Sequence, residues 1–347
     1  AQSANVGGQN LVRSGGVRNY NIGINANQLL TDFGKTQASV DAADATKEAA
    51  TWQKEDSIQG LLLRVAENYF TVLRAQQDVA INLDNVRNAQ VQVERAKSFY
   101  EAVTRARIEV TGAESDLATA QVGLIVARNN EQKAEAAFLT GLGLQAIQPI
   151  QLQASTLQAP DWDKEKALSL AKEGRPDLKA SFARIKSAEA RVRNAEAAYF
   201  PSLSATYRYS WAEPGFIPQP YNWAVGMGLT VPLLDEPNLS SGIQAADAAV
   251  KIAEGNRDVL ALQIQQKAIE AWLNLQESRS RLEAAQAALL SNQENYRLAS
   301  ERYNVGVGSS LEVSDAQRLL VQARSQEVQA RFDVQLSIAR LYRQAGS

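Results

Sequence analysis

The chain has 347 residues, 36 Lys and Arg against 38 Asp and Glu, and neither Cys nor His. This length admits one large domain or two to three ordinary ones, and the net charge of −2 gives no electrostatic reason to expect nucleic acid or an anionic membrane surface as partner. Without thiol or imidazole the usual nucleophiles, bases and zinc or copper ligands are missing, so the sequence assigns no catalytic residue, no cofactor and no metal site. A chain free of cysteine also suits an oxidising compartment.

Ala, Gln, Leu, Arg and Glu dominate, while Gly and Pro gather in a few clusters, a composition that favours long helices. The longest apolar runs, "GLLLRVA" and "VGLIVA", are far too short to cross a bilayer as helices. At the start, "AQSANVGGQN" has neither a basic beginning nor an apolar signal core and reads as a mature or truncated end. Residues 1–13 alternate weakly and are expected as a strand. Residues 17–30 follow as a second, with Tyr20, Ile22, Ile24 and Ala26 on one face and Asn19, Asn21, Gly23, Asn25 and Asn27 on the other.

A long helix is expected over 39–103. Ile58, Leu61, Leu62, Val65, Tyr69, Val72 and Leu73 recur there at steps of three and four, as in a helix packed along its length. At 1.5 Å per residue it extends roughly 100 Å. A tip, "SFYEAVTRARIEV", leads into a return helix over 109–139 of about half that length. Residues 141–175, with "GLGLQAIQPIQLQ" and the helical "KEKALSLAKEG", form a mixed linker expected on the outside of the bundle.

A helix over 176–199 then enters a strand over 202–211. There Leu203, Ala205, Tyr207, Tyr209 and Trp211 alternate with Ser202, Ser204, Thr206, Arg208 and Ser210. After the Pro- and Gly-rich "AEPGFIPQP" comes a strand over 222–234, with Trp223, Val225, Met227, Leu229 and Val231 on one face. A second long helix over 240–304 and a return helix over 311–342 complete the chain. The 176–199 helix has about the length needed to cover, end to end with a return helix, what that helix leaves bare.

The chain is read as a duplication. "VDAADA" at 40–45 matches "IQAADA" at 243–248, and the same shift of 203 pairs Gly23 with Gly226, Asp32 with Asp235, Tyr100 with Tyr303, Glu109 with Glu312 and Ala113 with Ala316. The two units are residues 1–140, whose leading helix is absent, and residues 176–347, with 141–175 as an equatorial linker.

A period-two strand is ordinarily half of a hairpin seated on a soluble core. Here the second face is small and hydrated, the connection is rich in Pro and aromatics, and no further strands are available for a soluble sheet. Ten tilted residues cross the hydrocarbon layer, and Arg208 on the inner face is tolerable where the interior holds water. Open edges are not permitted in lipid, so such strands must close a barrel with copies from other subunits.

The tip "RYNVGVGSSLEVSDAQ" (302–317), the passage "VPLLDEPNLSSGIQAADA" and the run "AAYFPSLSATYRYSW" resemble the TolC-like outer membrane efflux proteins over essentially the whole chain. That resemblance implies a mainly α fold with transmembrane β: long antiparallel coiled-coil helices in an α-barrel, and strands contributed to a trimeric twelve-stranded β-barrel. It implies a non-enzymatic, passive exit duct of a Gram-negative outer membrane, reaching into the periplasm. The duct would serve a tripartite efflux pump or type I secretion, with a periplasmic adaptor, an inner membrane transporter and outer membrane lipid as partners.

By the same resemblance Glu109, Tyr303, Glu312 and Asp315 line and close the periplasmic entrance, and the tip Val305, Gly306 and Val307 receives the adaptor. Acids just after a tip are also what the start of any helix favours, and a Gly-rich turn is also what ends one. Two features depart from the family: Gly308 stands where an arginine can tie neighbouring subunits, and the first tip lacks the Val-Gly turn. Arg105 and Arg107 are there either to pair with acids or as bare surface charge. The competing class is a soluble coiled-coil scaffold whose strands serve oligomerisation. The cargo is not legible in the sequence.

Overall fold

The structure is a computed structural model describing residues 2–6, 9–13, 20–145, 152–153, 155–213, 221–233 and 235–346, with the backbone alone for 2–13, 20–22, 211–213 and 221. Outside the described residues lie the beginning of the expected 17–30 strand, the loop "AEPGFIPQP" from residue 214 onward, much of the linker after residue 145, and Leu234. The chain divides into two compact units, residues 1–49 with 181–256 and residues 50–180 with 257–347. Each therefore draws on both halves of the sequence, and the division runs across the expected repeats instead of between them.

The first unit holds the strands. Gln2–Val6 (β1) and Gln9–Arg13 (β2) pair antiparallel with each other, Val6 opposite Gln9. The single strand expected over 1–13 is thus two. The intervening sequence is Gly7-Gly8, a hairpin signal that outweighs the weak alternation around it. Tyr20–Thr31 (β3), Ser202–Glu213 (β4) and Tyr221–Thr230 (β5) form a separate antiparallel sheet in the order β3-β4-β5. β5 stops short of the expected 234 because Pro232 offers no N–H to the ladder.

Lys35–Glu101 (α1) begins after Asp32, whose carboxylate accepts from the Thr36 backbone N–H at 2.9 Å. In this unit its buried face is Ala38, Ala42, Ala45 and Ala49. The facing stretch of Pro176–Ala197 (α4) supplies Ala183, Ala190 and the buried Ser187. Ser187 Oγ donates to the Ala42 carbonyl at 3.0 Å and lies 3.0 Å from Thr46 Oγ1. Small side chains let the two backbones approach closely, and both hydroxyls are satisfied at the Ala42 carbonyl, to which Thr46 Oγ1 also donates at 2.8 Å.

In the second unit α1 packs on Arg107–Gly141 (α2) through Val72, Ala75, Ala134 and Phe138. Glu236–Asn304 (α5) packs on Ser310–Ala345 (α6) through Leu275, Ile338 and Leu341, with the buried Ser278 and Ser337 hydroxyls 2.8 Å apart. Lys164–Gly174 (α3) places Ala167 in the same α5–α6 cluster, where Trp162, Trp272 and Tyr342 close it. The linker ahead of α3 is held by side chains: Tyr69 Oη donates to the Gln153 carbonyl at 2.5 Å, accepts from the Ser155 N–H at 3.0 Å, and Gln335 accepts from the Leu157 N–H.

The end of α6 meets the start of α4. Gly346 caps α6 in the left-handed region, φ 78°, and a side chain on it would lie 2.5 Å from the carbonyl carbon of Gly174. Beside this contact the buried Arg175 holds Asp177 with two hydrogen bonds and reaches Gln344 across the joint. Burial alone would raise the Asp177 carboxyl, but the bonds and charge of Arg175, the Leu178 N–H and the charge of Arg343 hold it below its ordinary 3.8.

Candidate functional site

The strand register sorts the side chains by face. Ile24, Tyr209 and Trp223 stand in line across the sheet, as do Ala26, Tyr207 and Val225 in the next row, then Gln28, Ala205 and Met227, then Leu203 and Leu229. The opposite face carries Asn25, Arg208 and Ala224, then Asn27, Thr206 and Gly226, then Leu29, Ser204 and Gly228. Trp223, Val225, Met227 and Leu229 are each about two-thirds exposed, so one face of the sheet is large, apolar and uncovered within the chain. Tyr20, Ile22 and Trp211 occupy the same face by register, their side chains lying outside the description. Val231, also exposed, falls one residue beyond β5. Gln28 interrupts it, and a register shift between Leu29 and Thr31 ends the alternation there.

The helix tips are built alike. At the end of α1 the N–H of Thr104 bonds the Phe99 carbonyl and that of Val103 the Tyr100 carbonyl. At the end of α5 Val307 bonds Arg302 and Gly306 bonds Tyr303. Both are Schellman turns, and their residues correspond one to one at the shift of 203. The left-handed position is Gly306 (φ 83°) in one tip and Val103 (φ 58°) in the other. The first tip therefore makes the same turn as the second without its glycine.

Tyr303, 2% exposed, lies at the centre of this region. Its hydroxyl donates to Glu109 Oε2 at 3.0 Å, and Phe99 meets its ring edge-on at 5.5 Å. Burial, then the hydrogen bond and charge of Glu109, push its phenol up to about 12, against the opposing charges of Arg105 and Arg95. Arg105 lies over the Tyr303 ring at 5.4 Å and faces Glu109 Oε1 at 3.4 Å. From there its Nη2 donates to the carbonyls of Gly306 at 3.1 Å and Gly308 at 2.9 Å. One guanidinium thus ties the first tip to the second. A Cβ on Gly308 would lie 2.9 Å from the Tyr303 nitrogen and 3.0 Å from Arg302, so any side chain there would force this turn to shift.

Of the four expected entrance residues the fold brings Glu109 and Tyr303 together. Glu312 and Asp315 stay exposed on the first turns of α6, Glu312 3.6 Å from Arg302 and Asp315 3.5 Å from Arg318. The Glu312 N–H is capped by Ser309 Oγ. Val305 and Val307 are exposed beside Gly306, in the company of Val103, Ile108 and Leu311. Sequence reasoning missed Arg105 as the tie, although the shift of 203 sets it opposite Gly308. It also missed a cleft of about 550 Å³ above the tips, of mixed polar and apolar lining, where Gln317 donates to Asn85 at 2.9 Å and Ser314 to Asp116 at 2.6 Å.

The profile of the outer membrane efflux protein family matches residues 2–144 and 167–347. The outer membrane efflux protein BepC of Brucella suis biovar 1 is 26% identical over 325 residues, 90% of this chain and 69% of BepC. The outer membrane protein TolC of Vibrio cholerae serotype O1 is 26% identical over 339 residues, 94% of this chain and 76% of TolC. Among solved structures, CusC superposes with a TM-score of 0.83 at 20% identity, covering all of this chain and 81% of that one.

Proposed function

Since the chain belongs to the outer membrane efflux protein family, we propose that it is one subunit of a trimeric, passive exit duct, closed at its periplasmic tips and opened by an adaptor and an inner membrane transporter. The observation that carries this reading is the β3–β5 sheet, with its exposed apolar face, its small polar face and, among the described residues, two unpaired edges. Backbone edges cannot stay open in hydrocarbon, so the sheet closes with copies of itself. β3 and β5 run in the same direction, since each is antiparallel to β4. An antiparallel ring made by rotation therefore needs a fourth strand per subunit, twelve for a trimer.

In this reading Arg105, Glu109 and Tyr303 hold the tips together in the closed duct, and the exposed Val305, Gly306 and Val307 receive the adaptor. Glu312 and Asp315, repeated by symmetry, make carboxylate rings that favour cations at the entrance. The twofold recurrence of strand, long helix and return helix gives each subunit two like repeats, so three subunits build a wall of six pseudo-equivalent units. Purified protein is expected to need detergent, to run as a heat-resistant trimer and to form channels in planar bilayers. The double variant Glu312→Gln, Asp315→Asn is expected to lose part of their cation preference. A monodisperse aqueous monomer or dimer would end the proposal in favour of a soluble scaffold.

A further inference from the structure

Arg208 is the only charged residue among the positions of β3, β4 and β5 that form the polar face. Its Nε donates to Asn25 Oδ1 on the neighbouring strand at 3.1 Å. Among the described residues neither terminal nitrogen has a partner, and no carboxylate shares the face. On the other side its register partner is Ala224, with Gly226 and Gly228 further along β5. The guanidinium is thus oriented through one nitrogen, exposed, and surrounded on the β5 side by small residues that leave it room. Arginine offers five donors in a planar fork suited to carboxylate and phosphate, and here the outward pair of that fork is unused.

We propose that three Arg208 side chains, one from each subunit, form a ring inside the strand barrel that binds oxyanions, the carboxylate or phosphate groups of solutes in transit. The proposal rests on the trimeric barrel of the preceding section and adds a site to it. Twelve strands spaced about 4.8 Å and tilted about 40° enclose a ring of roughly 12 Å radius. An extended arginine spans about half of that, so the charges stand roughly 6 Å from the axis, inside the Debye length of about 8 Å at physiological salt. Their fields therefore overlap across the whole lumen. Summed and screened, three such charges enrich a small monovalent anion on the axis roughly fivefold. The strand wall would then prefer the charge opposite to that favoured by Glu312 and Asp315, and a solute carrying both signs meets a complementary ring in each region.

The test uses full-length trimers in planar bilayers, with chloride against potassium permeability and block by citrate as readouts. Arg208→Gln is expected to abolish citrate block and to lower the permeability ratio roughly twenty-five-fold, because the potential that enriches chloride fivefold depletes potassium by the same factor. Arg208→Lys keeps most of both. Asn25→Asp sets a carboxylate where the amide oxygen now stands, 3.1 Å from Nε. It should lower the ratio as far as Arg208→Gln does, and it carries the test if the latter fails to assemble. Conducting trimers of either neutralising variant that retain the wild-type ratio and block would overturn the ring and leave the duct standing. Wild-type protein that forms no channel would overturn the duct and the ring with it.

Discussion

The two helix tips are made from the same turn and do opposite work. Residue for residue at a shift of 203, Phe99 to Thr104 repeats the hydrogen bonds of Arg302 to Val307. Yet Tyr303 is buried while its counterpart Tyr100 is 46% exposed, and the first tip reaches out with a side chain where the second offers bare carbonyls. The pivotal pair is Arg105 and Gly308, equivalent positions in the two halves. A guanidinium at one bonds the backbone of the other, and the second can do this only because it has no Cβ. Matching turns fix where the two positions meet, and the difference in side chain turns that proximity into an attachment.

The largest effect on this complementarity is expected from Arg105→Ala, which removes both bonds to the second tip and the cation over Tyr303. Charge-assisted bonds in this partly shielded setting put the loss at about 2 kcal/mol, equivalent to roughly a thirtyfold shift toward separated tips. Single-channel recordings should show it as a rise in open probability, and an unchanged closed level would mean the tips are held by something else. Next is Gly308→Ala, whose methyl has nowhere to go beside the Tyr303 nitrogen. A loss of about 1–2 kcal/mol in thermal unfolding is expected, with a rise in tip mobility by hydrogen exchange at 303–309.

Val103→Gly asks whether the first tip suffers for lacking the glycine of the second. A β-branched residue in the left-handed region is strained by about 1–2 kcal/mol, so the variant should unfold at higher temperature despite losing no contact, Val103 being 91% exposed. Destabilisation would show that the valine has a covered role. The smallest effect is spectroscopic. The folded Tyr303 phenol is raised from 10 to about 12, so the stability it contributes is full below pH 10 and lost as pH rises toward 12. Ultraviolet titration should show a late phenolate step near pH 12 that Tyr303→Phe removes. If that step persists in the variant, another tyrosine produces it.

Much of this was legible because the signals are periodic. Alternation in 202–211 and 222–230 reads out both faces of β4 and β5, and steps of three and four place α1 and α5 to within a few residues. The family resemblance of the tips points to Glu109 and Tyr303. What escaped depends on chemistry without a period. The division of residues 2–13 into two paired strands is marked in the sequence only by Gly7-Gly8. The first turn of α5 extends back to Glu236 because Pro237 suits the start of a helix, where its missing N–H costs nothing. Arg105 read equally well as surface charge, since a carbonyl acceptor leaves no mark on the sequence. The partner of Arg208, an asparagine 183 positions away, becomes visible only once the strand register is known.

The meeting of Gly346 with Gly174 has a mechanical consequence. Two helical segments abut there with no peptide bond between their faces, joined by Arg175 reaching Gln344 and by the attraction of opposed dipole ends. Such a seam bears thrust like stacked masonry and parts easily under tension. Its tolerance is also narrow: a single methyl on either glycine would wedge the two abutting ends apart.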